Sequence, residues 1–434
     1  MTTHHAPDAP EVLPDPELSI VIPTYNRSAL LDRTLRALAD QRCASHRFEV
    51  IVSDDGSSDD TRQVVESYAD ELRITYHWQE DLGFRAAEAR NAGAALASAP
   101  LLAFVDTGML AGPDWVTAHL AGHAEQAGAG ARILLGYTYG YNPDTPCPEL
   151  LDLLDEGATP EEITKRLAEL PSFADMREPD FARVGDEPAR MAMPWVFLWT
   201  LNISLPTAEF RAIGGFDEDF RGWGVEDVEL GYRLHERGLQ MVVARDAWGI
   251  ESPHKRETDA NKESILRNCV RFLEKHPDLQ PELYWAVSTR GLIEPLEVEW
   301  EEIQAIVRDV RDRDVRGEVE AGLDGLAAAD PAAHGVRVLV LGSGGELPSV
   351  ASRPDVHLTL CDFDPALLRR ADEEADTSRV RTAPAFGMRT VFADQSFERV
   401  VVTSRLAGLW PAWGEYVLRE AARVGREVRA PFLS

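Results

Sequence analysis

Two short stretches early in the chain combine an aromatic ring, carboxylates and turn formers in a pattern that suits ligand binding. Pro23-Thr24-Tyr25-Asn26-Arg27 follows one apolar run, and Asp54-Asp55-Gly56-Ser57 follows the next. A tyrosine ring stacks on a planar base, and an aspartate accepts hydrogen bonds from an imide N–H or from ribose hydroxyls. Asp54 to Ser57 alone would read equally well as a turn with a helix cap; in tandem with Pro23 to Arg27 it reads as half of a site. Further on, Gly214-Gly215-Phe216-Asp217-Glu218, Gly222-Trp223-Gly224-Val225-Glu226-Asp227 and Glu229-Leu230-Gly231-Tyr232-Arg233-Leu234 set acids among glycines. Glycine lets the backbone turn tightly and come close to a substrate. An acidic helix start favoured by the helix dipole accounts for Glu226 and Asp227, but not for the preceding glycines and tryptophan together.

These residues need a scaffold, and the apolar pattern supplies one. Leu18 to Pro23 and Phe48 to Val52 are compact β-rich runs suited to buried parallel strands. Between them Ser28 can cap a helix carrying Leu31, Leu35 and Leu38 at helical spacing. Thr61 to Leu72 predicts a helix, Ile74 to His77 a strand, Arg85 to Ala97 an alanine-rich helix, and Leu101 to Val105 another strand. Such alternation implies a doubly wound α/β sheet with its ligand beyond the carboxyl ends of the strands. Pro143 to Pro194 reads as an acidic helical insertion, followed by a strand over Trp199 to Leu205 and a helix over Glu263 to His276.

Two more motifs lie at the same strand ends: Gly83-Phe84-Arg85 leading into Ala89-Arg90-Asn91-Ala92-Gly93, and Phe104-Val105-Asp106-Thr107-Gly108 followed by Pro113-Asp114-Trp115. In this order the motifs resemble those of inverting family 2 glycosyltransferases with the GT-A fold, over about Leu18 to His276. The later acidic block resembles the GGFDE, GWGxED and ELxRL segments of galactosyl-, N-acetylgalactosaminyl- and chondroitin-type transferases. The resemblance implies a nucleoside diphosphate sugar donor, UDP-linked, and direct displacement with inversion. It implies that Tyr25, beside Pro23, packs on the base, that Asp55 or Asp54 binds the base edge or ribose, that Arg85 contacts the nucleotide, and that Asp106 opens a DXD motif. Inverting transfer needs one carboxylate to deprotonate the acceptor hydroxyl, a service worth roughly 10² to 10⁴ in rate. Asp227 is the candidate base, Glu226 would orient the acceptor, and Trp223 would give a sugar ring an apolar platform.

The family also implies a Mn²⁺ or Mg²⁺ ion bridging the diphosphate, with Asp106 and His254 as candidate ligands and Lys255 and Arg256 near the leaving group. Gly108 stands where the family's third DXD position carries a carboxylate. Trp195, Trp199 and Asn202 are candidates for the acceptor side. The expected acceptor is a saccharide, a peptide or a small natural product.

Asp and Glu number 74 against 44 Lys and Arg, a formal net charge of -30, and such a field repels nucleic acid. No apolar stretch is long enough to span a bilayer and Met1 to Glu17 reads as a flexible tail without a signal-peptide core, so a cytoplasmic protein is expected, with homo-oligomers possible. Cys43, Cys147, Cys269 and Cys361 have no metal-type spacing and read as reduced thiols.

Residues 277–330 read as a helical, acidic linker, with a boundary near Pro331 to Gly335. Beyond it, Val336 to Leu341 running into Gly342-Ser343-Gly344-Gly345, and Val356 to Cys361 running into Asp362-Phe363-Asp364-Pro365, resemble the front of a class I S-adenosylmethionine methyltransferase. Val340 replaces the usual acid before the glycine loop, and the back half of that fold is missing. The expected organisation is therefore a tail (1–17), a Rossmann-like GT-A domain with a helical insertion (18–276), a bridge (277–330) and a small Rossmann-like module (331–434). A bifunctional glycosyltransferase and methyltransferase, or a non-catalytic sugar-nucleotide-binding scaffold, are the rival readings.

Overall fold

A computed structural model describes residues 14–124, 130–142, 147–254, 258–291, 296–326, 335–376 and 378–433. Lys255 and Arg256, residues 331–334 of the expected boundary and most of the expected tail lie outside them. The chain falls into two compact units, Met1–Ser264 and Ile265–Ser434.

The first unit is built on eight strands: β1 (Leu18–Thr24), β2 (Phe48–Asp54), β3 (Ile74–Trp78), β4 (Leu101–Val105), β5 (Met109–Ala111), β6 (Arg132–Tyr139), β7 (Asn202–Pro206) and β8 (Gln240–Glu251). They form one sheet in the order β3-β2-β1-β4-β7-β6-β8-β5. β1 to β4 are mutually parallel where they pair, so Thr24, Asp54, Trp78 and Val105 all end at one edge. β7 then runs antiparallel to β4, with Val105 opposite Asn202; a mixed sheet thus replaces a purely parallel one. Helices α1 (Ser28–Ala39), α2 (Thr61–Ser67), α3 (Ala86–Leu96) and α4 (Trp115–Ala124) follow their strands. In α1, Leu31, Leu35 and Leu38 are buried as their spacing requires.

Two details differ from the sequence expectation for physical reasons. Ser28 is the first helical residue and caps nothing with its side chain; its own N–H is taken by Asp59 Oδ2 at 2.9 Å. The strand expected from Trp199 starts only at Asn202, because Trp199 to Leu201 form a turn.

The acidic insertion folds into α5 (Pro148–Asp155), α6 (Pro160–Leu167) and α7 (Glu178–Val184). It is fastened to the sheet by the fully buried pair Arg177–Asp175, at 2.7 Å, whose guanidinium also donates to the carbonyls of Gly136 and Phe197. After β7 come α8 (Thr207–Ala212) and α9 (Glu226–Glu236), and α10 (Thr258–Lys275) follows β8.

In the second unit, α11 (Leu279–Thr289), α12 (Leu296–Asp309) and α13 (Arg316–Leu323) precede a sheet of β9 (Val336–Leu341), β10 (Val356–Asp362), β11 (Val380–Pro384), β12 (Arg399–Val402) and β13 (Val428–Arg429). Its order is β11-β10-β9-β12-β13 and every pairing is parallel. Helices α14 (Pro365–Glu374) and α15 (Trp410–Val424) complete it. Val315, Val319 and Leu323 of the segment read as a linker share one apolar cluster with Val338, Val340 and Leu358. All four cysteines are free thiols. Among the described residues no helix is long and apolar enough to cross a membrane.

Candidate active site

The parallel strands deliver their carboxyl-terminal residues to one edge, and hydrogen bonds between the loops lock them there. Asp55 N–H donates to Thr24 O at 2.9 Å, Asn26 N–H to Ser57 Oγ at 2.7 Å, and Thr107 Oγ to the carbonyl of Pro23 at 2.8 Å. The two adjacent aspartates point to different tasks. Asp54 is fully buried and accepts from the N–H groups of Gly56 and Ser57 and from Tyr76 Oη at 2.5 Å. It builds the turn and pushes the Tyr76 phenol upward by its negative charge, although burial is the larger cause. Asp55 accepts from Arg85 N–H at 2.9 Å, Arg85 Nη2 at 3.0 Å and Gln79 Nε2 at 2.6 Å.

Tyr25, Trp78 and Phe84 each leave about half of their surface in solvent at this edge (44%, 50% and 52%). Exposed rings concentrated at strand ends are what stacking on a base requires. Tyr25 Oη donates to Asp81 at 2.8 Å, a contact that raises its phenol pKa and fixes the ring.

The acidic block lies at the start of α9. Gly222 and Gly224 have φ of 80° and 92°, and Val225 itself has φ of 79°. A β-branched residue in the left-handed region is strained by about 1–3 kcal/mol, and here the strained residue aims Glu226 and Asp227. Gly222 N–H reaches the carbonyl of Phe84 at 3.3 Å, which ties this loop to the one that leads into α3. Glu229 and Arg233 brace it from behind: Arg233 pairs with Glu229 at 2.7 Å and donates to the carbonyls of Ile213 and Gly215.

Arg90 sits at the centre. Its Nη1 donates to Glu226 Oε1 and its Nη2 to Asp106 Oδ1, both at 2.9 Å, with only 6% of the side chain exposed. Arg90 Nε and Glu226 Oε2 are buried and have no hydrogen-bond partner. Next to it Asn91 Nδ2 donates to Phe216 O and Glu218 Oε1, while its Oδ1 accepts from Phe216 N–H, all at 2.9 Å. A Cβ on Gly215, which has φ of +74°, would lie 2.5 Å from Asn91 Oδ1, so only glycine fits. Asp227, half-buried, is pushed up to about 7, first by loss of hydration and then by the charge of Glu226; Arg90 and the Val228 N–H oppose the rise. A carboxyl poised there is ionised in part at neutral pH and accepts a proton readily.

Trp223 stands partly exposed in the loop before the acids. Trp195 is fully buried against Tyr232, with ring centroids 5.4 Å apart, and is a core residue. Asn202 is likewise sealed in. It accepts from Trp115 Nε1 at 2.9 Å and donates to the carbonyls of Tyr137 and Ala247, so it stitches strands together and reads no acceptor. The central residues that motif reading left without a role are Arg90 and Asn91; an arginine in the midst of an alanine-rich helix was the available signal.

A Gly108 φ of +111° explains the missing DXD carboxylate: a Cβ there would have room, 3.8 Å from Leu30, but any non-glycine residue would be strained. Ser252 N–H donates to Gly108 O at 3.0 Å, which brings the His254 segment to the Asp106 loop. Among the described residues no group of three His, Cys, Asp or Glu gathers as a metal cage. Asp106 leaves 38% of its side chain exposed.

The family model described as glycosyl transferase family 2 matches residues 19–145, and one described as the N-terminal domain of galactosyltransferase matches residues 185–256. Validoxylamine A glucosyltransferase of Streptomyces hygroscopicus subsp. limoneus is 52% identical over 419 residues, 96% of this chain and 91% of that one. The corresponding protein of S. hygroscopicus subsp. jinggangensis is also 52% identical, over 96% of this chain and 97% of its own. Chondroitin synthase of Pasteurella multocida is 32% identical over 60% of this chain and 27% of its own length.

Proposed function

Because the chain belongs to the family 2 glycosyltransferases, an enzyme family that transfers sugars from nucleoside diphosphate donors, we propose that its donor is UDP-glucose and its acceptor a hydroxyl of validoxylamine A. Support for this sugar and acceptor comes from the 52% identity, which runs through both units and not only the sugar-nucleotide half. The galactosyltransferase model spans the acidic block, within which Gly222 to Asp227 is read as the acceptor-facing element.

The observation that carries the mechanism is the place of Asp227, in the first turn of α9 beside Glu226, where burial raises its pKa to about 7. It takes the proton of the acceptor hydroxyl as that oxygen bonds to the anomeric carbon from the face opposite the diphosphate. The bond from the anomeric carbon to the phosphate oxygen breaks in the same step, its electron pair leaves with UDP, and the configuration inverts. Glu226 orients the acceptor, and Trp223 gives a sugar ring its apolar platform. Tyr25 packs on the base beside Pro23. Asp55 accepts from the base edge or ribose in an orientation fixed by Arg85 and Gln79; Asp54, wholly engaged in the turn, is not given that role. Asp106 and His254 would hold a Mn²⁺ or Mg²⁺ ion arriving with the diphosphate, and that ion would neutralise the leaving group.

The C-terminal unit is read as a methyltransferase-like scaffold whose cofactor position is closed. Its acid, Asp362, is fully buried with Arg405, at 2.8 Å, and also accepts from Gly344 and Asp364 N–H. Arg405 is held in turn by the carbonyl of Val310. A ribose would have to displace this pair.

The test is incubation of the full chain with validoxylamine A and a panel of UDP-sugars, with and without Mn²⁺, read by mass spectrometry and by calorimetry of UDP binding. A glucosylated product formed from UDP-glucose supports the proposal. UDP binding with transfer of another sugar, or to no such acceptor, overturns the substrate assignment, and absence of any nucleotide binding overturns the mechanism.

A further inference from the structure

The transfer reaction needs its donor and acceptor half-sites at a fixed separation, since a misplacement of about 1 Å costs on the order of 10²-fold in rate. In this chain the two halves come from elements far apart in sequence: Asp106 follows β4, and Glu226 opens α9. What joins them is a single guanidinium. Arg90 projects from α3 and donates one N–H group to each acid at 2.9 Å. The arm to Glu226 is almost wholly out of water, with 6% of the Arg90 and 8% of the Glu226 side chain exposed, where a fixed charge-assisted hydrogen bond is strongest; the arm to Asp106 is more open.

The bridge leaves one atom over. Glu226 Oε1 is spent on Arg90, while Oε2 is buried without a partner. A buried carboxyl oxygen with nothing to accept from costs about 1–3 kcal/mol, so the carboxyl keeps this place because Arg90 holds its other oxygen. The groups charged around it are Asp227 on the same helix, Arg90 on α3 and Asp106 after β4. None of these donates to Oε2, so the hold on this carboxyl rests on Arg90.

We propose that Arg90 is a positioning residue of the transfer reaction: by locking Glu226 to Asp106 it fixes the head of α9, and with it Asp227, against the loop after β4. This rests on the glycosyltransferase reading of the same site. Lysine in place of Arg90 keeps the charge but cannot make the two-sided fork. The experiment is a double-mutant cycle of Arg90→Lys and Glu226→Gln in the full chain, with UDP-glucose and validoxylamine A, reading kcat, KM and calorimetric UDP affinity.

The expected result is that Arg90→Lys lowers kcat by roughly 10- to 100-fold while UDP affinity changes by less than about threefold. In the Glu226→Gln background the same change costs less than about threefold in kcat, because the bridge has already lost its charged partner on α9. A full, multiplicative loss in the double variant overturns the proposal, as does a loss confined to UDP affinity. Should Arg90→Lys fold poorly, the double variant, which lightens the charge left unmatched, carries the comparison with Glu226→Gln alone. Failure of the wild-type chain to transfer any sugar would instead overturn the reading on which the proposal rests, and that control is separate from the cycle.

Discussion

Replacing Asp227 with asparagine should abolish turnover and at the same time stabilise the protein. Asparagine keeps the size and the contact with the Val228 N–H, which is 2.8 Å from Oδ1 in the native chain if the amide oxygen takes that place, but it cannot take a proton. The loss of a positioned base is worth roughly 10² to 10⁴ in kcat, with UDP affinity unchanged under the proposal that Asp227 serves the acceptor. The stability effect follows from the raised pKa. The group moves from 3.8 unfolded to about 7 folded, roughly three units, or up to about 4 kcal/mol at about 1.4 kcal/mol per unit. The folded chain holds the proton more tightly than the unfolded one, so this group's favourable contribution is complete below pH 3.8 and is lost as pH rises through about 7. Asparagine is neutral throughout, so its gain over wild type should be absent in acid and largest above pH 7. The assay is kcat/KM from pH 5 to 9 together with urea midpoints over the same range. Wild-type kcat/KM should fall about tenfold per unit below pH 7 on protonation of this base. A flat profile through pH 7, or an asparagine variant that turns over normally or is less stable at pH 8, would refute the assignment.

Other features make independent predictions. His119 is fully buried, bonded to Ser204 Oγ at 2.7 Å and near Asn202 Oδ1 at 3.2 Å, and burial holds it down to about 3. Its neutral form supports the fold above pH 6.5, and that support drains away as pH falls from 6.5 through about 3; urea midpoints should decline over this window, and His119→Gln should flatten the decline. In the C-terminal unit, Arg405→Leu strands Asp362 in the core and should cost about 3–5 kcal/mol of that unit's stability in calorimetric unfolding. S-adenosylmethionine titrated into the wild-type chain should give no binding heat; a measurable site would show that the Arg405–Asp362 pair opens.

How much of this was legible in the sequence depends on whether a residue acts through its type or through its partner. β1, β2, β4 and β9 were readable because each is a continuous apolar run, and the strand-end motifs were readable because turn residues and carboxylates interrupt those runs in a fixed order. Antiparallel addition of β7 and β5 was not readable, since direction depends on pairings across the chain that local pattern does not encode. The same distinction separates the acids. Asp54 and Asp55 are identical as letters; only the fold turns the first into the loop and gives the second to Arg85. Arg90 is the strongest case. Within Ala89 to Gly93 it looks like one polar residue on a small-residue helix, and nothing local says that its partners lie 16 and 136 positions away. Yet the strained φ at Val225, the glycine forced at Gly215 by Asn91 and the bridge itself all converge on the same two consecutive residues of α3. Under the proposed mechanism, a helix that braces the loop before α9 and links α9 to the loop after β4 fixes the separation of the two half-sites, and for direct displacement a fixed separation is what brings hydroxyl, base and anomeric carbon into line.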